Sequence, residues 1–350
     1  MSSNDKGLQP PFVKGWPDEE RVVMGHGSGG RKMHRLIRDV FLRHFGNPVL
    51  NRLGDSAVFG TRGAQRAMST DSYVVQPLFF PGGDIGKLAV CGTVNDLAVA
   101  GARPEFLSAG FIVREGLEMA VLERICRSMA RTARRAGVSI VTGDFKVIER
   151  GEDEGVYINT TGSGTVRAGV DLGPQRIRAG DALLINGPIG QHEAAIAVAR
   201  GGYGFKAGVK SDCAPLGGLV ARMLRLKGVR MMRDPTRGGL ATTLNEIADA
   251  TGLGFVVDEG LLPVSKTVRG VAGLLGFDVM YMANEGKVLT VADPGKAGRL
   301  VEAMRADTHG RGARRIGEVV RRPPGVWLRT KLGSLRRMIM LEGEQLPRIC

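Results

Sequence analysis

Four aspartates stand directly beside apolar runs in the first half of the chain. Asp55 precedes such a run, Asp71 follows one, Asp96 interrupts a helix of small apolar residues directly after Asn95, and Asp144 ends a further run after Gly143. A carboxylate among apolar neighbours is costly unless it is paired or metal-bound, and hard oxygen ligands suit Mg²⁺ shared with phosphates. Nearby, Lys146 could contact a phosphate. Each acid alone fits a cap or a salt bridge equally well, so only the set predicts a metal–phosphate site.

A glycine-rich loop precedes the first predicted helix. It reads Gly25-His26-Gly27-Ser28-Gly29-Gly30. Backbone N–H groups exposed before a helix form an anion site, so the loop predicts contacts with phosphate. Its spacing also satisfies the dinucleotide pattern G-x-G-x-x-G, which is a weak match, whereas Arg31 after the last glycine excludes a P-loop. A plain tight turn is the alternative.

Two further candidate segments lie in the second half. Residues 233–239 carry two arginines and end in Arg237-Gly238-Gly239, which either bind an anion or cap a helix. Residues 284–287 lie between apolar segments. There Glu285 could act as a general base, or the segment could be a solvated hairpin turn.

The four cysteines are far apart in the chain. No C-x-x-C pair occurs, which argues against a zinc site or a disulfide framework. Cys91 and Cys126 fall on apolar helix faces and are predicted to be small core residues. Cys213 lies in a predicted loop, and its role is left open. Cys350 is the last residue, so its thiol is either a mobile nucleophile or carrier arm, or an accidental terminal cysteine.

Composition restricts the class of protein. The 350 residues carry a formal net charge of +14, but the basic residues are scattered and aromatic residues make up only 5%. Stacking on bases therefore has little support, and we expect no nucleic acid. No apolar stretch is long enough to span a bilayer, and residues 1–20 lack a signal-peptide core. We therefore expect no membrane association and a cytoplasmic protein.

The pattern of elements predicts two domains. Residues 1–20 are predicted to be a flexible extension, 21–168 an N-terminal domain, 169–337 a C-terminal domain, and 338–350 a mobile tail. The N-terminal domain is predicted to open with a strand at residues 21–24, followed by the glycine loop and an amphipathic helix from Met33 to Phe45. Strands and helices then alternate in both halves, which is typical of an α+β or α/β fold.

Several segments together resemble the HypE family of [NiFe]-hydrogenase maturation proteins. Besides the glycine loop, they are Thr70–Val74, Pro77–Gly83, Gly92–Asp96, Val141–Asp144, Ser211–Ala214, Arg237–Gly239, Ala283–Lys287 and the terminal Leu346–Cys350. The likeness runs in order from about Val22 to Cys350, and the terminal P-R-I-C is its most specific part. It departs from the usual family pattern at Gly54, Phe145 and Gln191.

The resemblance implies an aminoimidazole ribonucleotide synthetase-like fold, with an N-terminal mixed sheet that dimerises and a C-terminal α/β domain. It also implies the chemistry. A HypF-type carbamoyltransferase would load the Cys350 thiol, ATP would drive dehydration of the carboxamide to an S-cyanate, and cyanide would pass to iron on a HypC–HypD complex. The alternatives are another ATP-dependent synthetase or kinase of this superfold that acts on a free small molecule, and a non-enzymatic assembly scaffold.

The resemblance also implies roles for the candidate residues. Asp55, Asp71 and Asp96 would hold Mg²⁺, with Asp144 and Lys146 beside the phosphates. Glu285, or alternatively His26, would accept the amide proton. The nucleotide would contact Gly27, Ser28, Gly29, Gly30, Asn95, Gly143, Arg237, Gly238 and Gly239.

Overall fold

The computed structural model describes residues 22–61, 64–152, 155–201, 207–343 and 345. The predicted extension 1–20 and the predicted nucleophile Cys350 lie outside the described residues. None of the described helices is long and apolar enough to cross a membrane.

The N-terminal half is built on a five-stranded mixed sheet. Its strands are β1 (Ala57–Thr61), β2 (Ala64–Tyr73), β5 (Ala102–Arg114), β6 (Ser139–Ile148) and β7 (Val156–Val166), and a small hairpin is formed by β3 (Phe79–Phe80) and β4 (Gly83–Asp84). The strand order is β1-β2-β7-β5-β6. Strands β5 and β6 are parallel, and the other neighbours are antiparallel.

Helices precede and cover this sheet. They are α1 (Arg31–Leu36) and α2 (Leu42–Phe45), joined by a π-helical turn at Ile37–Phe41, then α3 (Ile85–Val99) and α4 (Met119–Ala136). Nearly every residue of α3 is buried, because the helix packs against the sheet, against α4 and against the C-terminal half. Asp84 caps its first turn by accepting from the Lys87 N–H (2.9 Å).

The outer strand β6 is exposed along its whole length. It pairs only with β5, so its other edge has no partner within the described chain. Apolar side chains lie along it, among them Val141 and Val147, which are 60% and 61% exposed. An apolar edge strand of this kind is a surface that another chain can cover.

The C-terminal half is built on a seven-stranded sheet. Its strands are β8 (Ala182–Ile185), β9 (Val229–Arg233), β10 (Gly254–Asp258), β11 (Leu289–Ala292), β12 (Arg314–Val320), β13 (Gly325–Arg329) and β14 (Leu335–Met338), in the order β14-β13-β10-β12-β8-β11-β9. The helices are α5 (Gln191–Arg200), α6 (Gly217–Leu224), α7 (Gly239–Thr251), α8 (Lys266–Leu275) and α9 (Ala297–Arg305). The predicted boundary at residues 168 and 169 lies between β7 and β8, and the division into domains stays a prediction.

The predicted first strand at residues 21–24 is wrong. Residues Met24–Gly27 form a single 3-10 turn instead. The backbone N–H of Val23 donates to Nδ1 of His26 (3.0 Å), so a side chain takes the amide that a neighbouring strand would have paired. The run is too short to outweigh this local bond.

The prediction that Cys91 and Cys126 are core residues is half right. Cys91 is fully buried in α3, whereas Cys126 is exposed on α4. Helix α4 buries Ile125, Met129 and Ala133. Cys126 lies about 100° further round the helix than Ile125, which turns it away from the sheet.

Substitution of these two cysteines should therefore have unequal effects. We expect Cys91→Ala to lower the free energy of unfolding by about 1 kcal/mol or slightly more, because it truncates a buried side chain. Cys126→Ala should change it by less than about 0.5 kcal/mol. Urea unfolding followed by circular dichroism checks the pair, and equal losses at both positions would contradict the described packing of α4.

Candidate active site

A large cavity lies between the edge of the N-terminal sheet and the C-terminal half. Its volume is about 2240 Å³, and its lining includes Asp55, Asp71, Asp96 and Glu285. Residues 337, 339–343 and 345, which follow or end the last strand, line the same cavity. The chain therefore leads its own C-terminal segment past the predicted acids.

Three of the four predicted acids, Asp55, Asp71 and Asp96, line this cavity. Asp55 precedes β1, Asp71 lies on β2, and Asp96 lies on α3 under that strand. The Ser69 hydroxyl connects two of them, at 2.6 Å from Oδ2 of Asp96 and 3.0 Å from the backbone oxygen of Asp55. Asp234, directly after β9, joins the group from the C-terminal half.

These carboxyl groups disfavour one another's ionisation. Burial raises the pKa of Asp96 well above its usual range, and the charges of Asp234 and Asp55 raise it further. Burial likewise raises the pKa of Asp55, and it raises the pKa of Asp234 to about 6. The neutral forms of these groups are therefore favoured, and a bound cation would shift them toward their ionised forms. Within the described part of the chain, no three His, Cys, Asp or Glu side chains are placed to hold one ion.

Two arginines bring positive charge to this cluster. Arg233 contacts Oδ1 of Asp55 (2.6 Å) and Oε2 of Glu246 (2.7 Å), so Asp55 is already paired. Nη2 of Arg237 lies 3.8 Å from Oδ1 of Asp71, and half of the Arg237 side chain is exposed to the cavity. Arg237 is thus the more available cation for an incoming phosphate.

The loop after Arg237 depends on glycine. Gly238 and Gly239 both adopt positive φ, at 73° and 61°, as helix α7 begins. A Cβ on Gly239 would lie 2.6 Å from the Tyr281 backbone carbon, so no larger residue fits without movement. Their predicted contact with a nucleotide stays a prediction, and Gly238 lines the cavity.

A buried network of contacts fixes the backbone next to Glu285. Asp212 accepts from the Gly286 N–H (3.1 Å) and pairs with Nζ of Lys287 (2.9 Å). Glu285 lines the cavity. Burial raises its pKa well above the usual range, and neighbouring Cys213 and acids add to the effect. A carboxylate with a raised pKa is a stronger proton acceptor near neutral pH.

Two other predicted residues lie outside the cavity lining. The Asn95 side chain is buried, where it accepts from the Leu216 N–H (2.7 Å) and donates to the Ala214 oxygen (3.1 Å). These contacts give Asn95 a positioning role between the two halves. His26 is also buried, with Nδ1 bonded to the Val23 N–H, so Glu285 is the better placed of the two predicted proton acceptors.

The surroundings of the glycine loop and of residues 143–146 on β6 differ from the prediction. Gly27, Ser28, Gly29 and Gly30 do line the cavity, but the first two amides of α1 are bonded to the chain's own C-terminal segment. Gly143, Asp144 and Lys146 lie on exposed β6 and do not line the cavity of the chain that carries them. Asp144 therefore does not join the other predicted acids within its own chain.

The roles of several site residues were not predicted. Asp234, Asp212 and Lys287 lie in candidate segments of the sequence, but no role was assigned to them and no partner to Arg233, and Glu246 lies in none of these segments. Except for Asp234, these residues pair across the fold, and no local pattern reveals such pairs.

Known proteins match both halves of this chain. Residues 53–166 match the family described as AIR synthase related protein, N-terminal domain, and residues 178–327 match the corresponding C-terminal domain family. Carbamoyl dehydratase HypE of Cupriavidus necator is 50% identical over 333 residues, which cover 94% of this chain and 95% of that protein.

Solved structures agree with these matches. A HypE chain in a HypE–HypF complex superposes with a TM-score of 0.83 at 41% identity, covering 87% of this chain and 99% of that one. Hydrogenase maturation protein HypE in complex with ATP superposes with a TM-score of 0.77 at 47% identity, covering 94% and 100%. The predicted fold class is thereby confirmed, and the chain belongs to the HypE family of carbamoyl dehydratases.

Proposed function

We propose that this chain is an ATP-dependent carbamoyl dehydratase that acts on its own C-terminal cysteine. It converts the S-carboxamide of Cys350 to an S-cyanate, which supplies cyanide for the iron of [NiFe]-hydrogenase. The observation that carries the proposal is the path of the C-terminal segment, since residues 339–343 and 345 line the cavity that holds the acid cluster, Arg237 and Glu285. The names of the HypE relatives support the same reaction.

The chemistry requires a better leaving group than an amide oxygen. Transfer of the ATP γ-phosphoryl group to that oxygen, with loss of one N–H proton, gives an O-phosphorylated imidate. Loss of phosphate and of the second N–H proton then leaves the nitrile carbon on sulfur. One carboxamide and one ATP give one S-cyanate, one ADP and one phosphate, so the oxygen of the lost water ends in phosphate. Arg237 would balance charge on the phosphates, and Glu285 would accept the amide proton.

Mg²⁺ fits the donor set of the cavity. It binds through one or two carboxylates together with phosphate oxygens, and it would neutralise the triphosphate charge. Asp71 and Asp96 would hold it, because both line the cavity and the two carboxyl groups lie close enough to influence each other. Asp55 contributes less than predicted, since Arg233 already contacts it.

A homodimer would complete this site. Asp144 and Lys146 lie on exposed β6, outside the cavity of their own chain, so they could reach a nucleotide only in a neighbouring chain. The exposed apolar side chains of β6 suit burial against a second copy. We therefore retain the predicted roles of Gly143, Asp144 and Lys146 as contributions across a dimer interface.

A substitution that disrupts β6 should dissociate the proposed homodimer and, for the same reason, lower its ATP turnover. Val141→Arg places a charge on the exposed strand and should shift the protein from dimer to monomer in sedimentation velocity. ATP turnover should fall with it, because Lys146 no longer reaches a neighbouring site. Leu274→Arg is the matched control, since Leu274 is 65% exposed on α8. A concentration-independent monomer in the unaltered protein would rule out the dimer.

Two partners and a location complete the proposal. A HypF-type carbamoyltransferase would load Cys350, which the complex of a relative with HypF supports. A HypC–HypD complex would receive the cyanide, and the reaction would take place in the cytoplasm.

The direct test follows the mass of the intact protein. Incubation with the carbamoyltransferase partner and its carbamoyl donor should add one carbamoyl group, and ATP should then remove one water from the same peptide. A modification that maps to Cys213, or ATP hydrolysis that needs a free small molecule and ignores the carbamoylated tail, would favour a different activity.

A further inference from the structure

The base of the C-terminal tail is bonded to the start of helix α1. The N–H of Arg31 donates to the Leu341 oxygen (2.8 Å), and the N–H of Lys32 lies 3.4 Å from the Glu342 oxygen. The Arg31 guanidinium also pairs with Oε1 of Glu342 (2.8 Å). Amides that open a helix have no partner within it, so the tail carbonyls satisfy two of them.

The glycine loop lies close against this segment of the tail backbone. A Cβ on Gly30 would lie 2.5 Å from the Leu341 oxygen and 3.0 Å from the Glu342 carbon. A Cβ on Gly343 would lie 3.7 Å from Cα of Gly25. Backbone therefore packs on backbone at a distance that a side chain at Gly30 would prevent.

The opposite side of the tail is bonded to the C-terminal half. The Tyr281 hydroxyl donates to the Ile339 oxygen (2.7 Å), and Asn245 donates to the Met338 oxygen (3.2 Å). Further along, the Asp278 N–H donates to Oε1 of Gln345 (2.6 Å). Helix α1 is in turn fixed to α7 by His34, whose Nε2 lies 3.1 Å from Oε1 of Glu246.

We infer that the glycine loop and the start of α1 are the seat of the tail base, and that this seat controls where the Cys350 thiol can go. The seat consists of residues 25–32 and holds residues 341–343. This assigns the loop to tail positioning instead of the phosphate binding that its sequence predicts. The inference rests on the proposed function insofar as Cys350 is the reacting group.

Chain length shows what the seat changes. Seven residues follow Gly343 and span at most roughly 25 Å when extended, and the bonds between Gln345 and Asp278 shorten the free part further while the tail base is seated. Twelve residues follow Met338, the last residue of β14, and they span roughly 40 Å. A seated tail therefore keeps the thiol near its own cavity, and a released tail extends its reach toward a loading partner.

Release of the tail base from the seat should slow dehydration within the chain more than it slows carbamoylation by the external partner. The effective concentration of a tethered group falls roughly as the −3/2 power of tether length, so a change from seven to twelve residues lowers it about twofold. We expect dehydration to slow by about twofold or more when the seat is lost. Carbamoylation by the external partner should keep its rate or become faster.

Gly30→Ala and Gly27→Ala form a matched pair for the first test. A Cβ on Gly27 meets nothing within 4 Å, whereas the one on Gly30 meets the tail backbone. Limited digestion with a glutamate-specific protease reports release, because Glu342 lies in the seat. Gly30→Ala should be cleaved after Glu342 several-fold faster than the unaltered chain, and Gly27→Ala at the unaltered rate. Equal rates in all three proteins would overturn the inference.

A charge exchange provides the second test, independent of glycine. Arg31→Glu places like charges together at Glu342 and should slow single-turnover dehydration of the carbamoylated chain while sparing carbamoylation. Adding Glu342→Arg should restore the rate. Loss of both reactions alike, or no rescue in the double variant, would contradict a positioning role. If the unaltered chain shows no dehydration, the proposed function fails, and digestion alone decides whether the seat exists.

Discussion

Replacement of Cys350 by alanine is expected to abolish S-cyanate formation while ATP binding survives. The thiol is the proposed carrier of the carboxamide. Asp96, proposed to hold Mg²⁺, and Arg237, proposed to contact the phosphates, lie in the described cavity and do not depend on the last residue. Mass spectrometry of the isolated variant, after exposure to the carbamoyltransferase partner and ATP, should show no carbamoyl group and no loss of water.

Two further variants separate chemistry from incidental loss of a cysteine. Cys350→Ser should also fail, because an O-linked carbamate does not lead to the same transferable S-cyanate. Cys126→Ala is the control, since Cys126 is exposed on α4 and distant in sequence from the tail. A Cys350→Ala protein that still delivered cyanide would refute self-modification, and ATP binding by calorimetry shows that the cavity remains intact.

Some of the site could be predicted because local sequence determines where buried elements end. Asp71 and Asp96 stand beside apolar runs that the sequence predicts to be buried, so their carboxylates were expected beside a core. Their convergence follows from the packing of α3 on β2. The resemblance to a family then supplied the reaction, which the acids alone could not indicate.

Other parts could not be predicted because they depend on pairing across the fold. Arg233 reaches Asp55 over a long stretch of chain, and that contact changes which acid is free for a metal. Lys146 follows Asp144 in sequence, but both lie on an edge strand outside the cavity. The glycine loop exposes amides as predicted, yet carbonyls of the tail take the first two amides of α1. A sequence can predict that the amides at the start of a helix are exposed, but it does not reveal which acceptor they bind in the folded chain.

The largest effect among the cavity residues is expected at Asp96. Asp96→Asn removes the charge and keeps the shape, and Oδ1 of asparagine can still accept from the Ser69 hydroxyl that lies 2.6 Å from the carboxylate. We expect turnover of Mg·ATP to fall by roughly 10²–10³-fold, the usual cost of losing one group that stabilises developing charge. The turnover of Asp71→Asn should also fall, and steady-state phosphate release measures the turnover of both variants.

The same substitution should make the unliganded protein more stable. Burial and the charges of Asp234 and Asp55 raise the pKa of Asp96, so its ionised form is costly in the folded state. Neutral asparagine removes that cost, and the melting temperature without Mg²⁺ and nucleotide should rise. Asp171→Asn is the charge-matched control, because Asp171 forms only an exposed ion pair with Arg176 and should change neither property. If Asp96→Asn kept full turnover, the metal assignment would be wrong. If it lost turnover together with cooperative unfolding, Asp96 would be a structural residue.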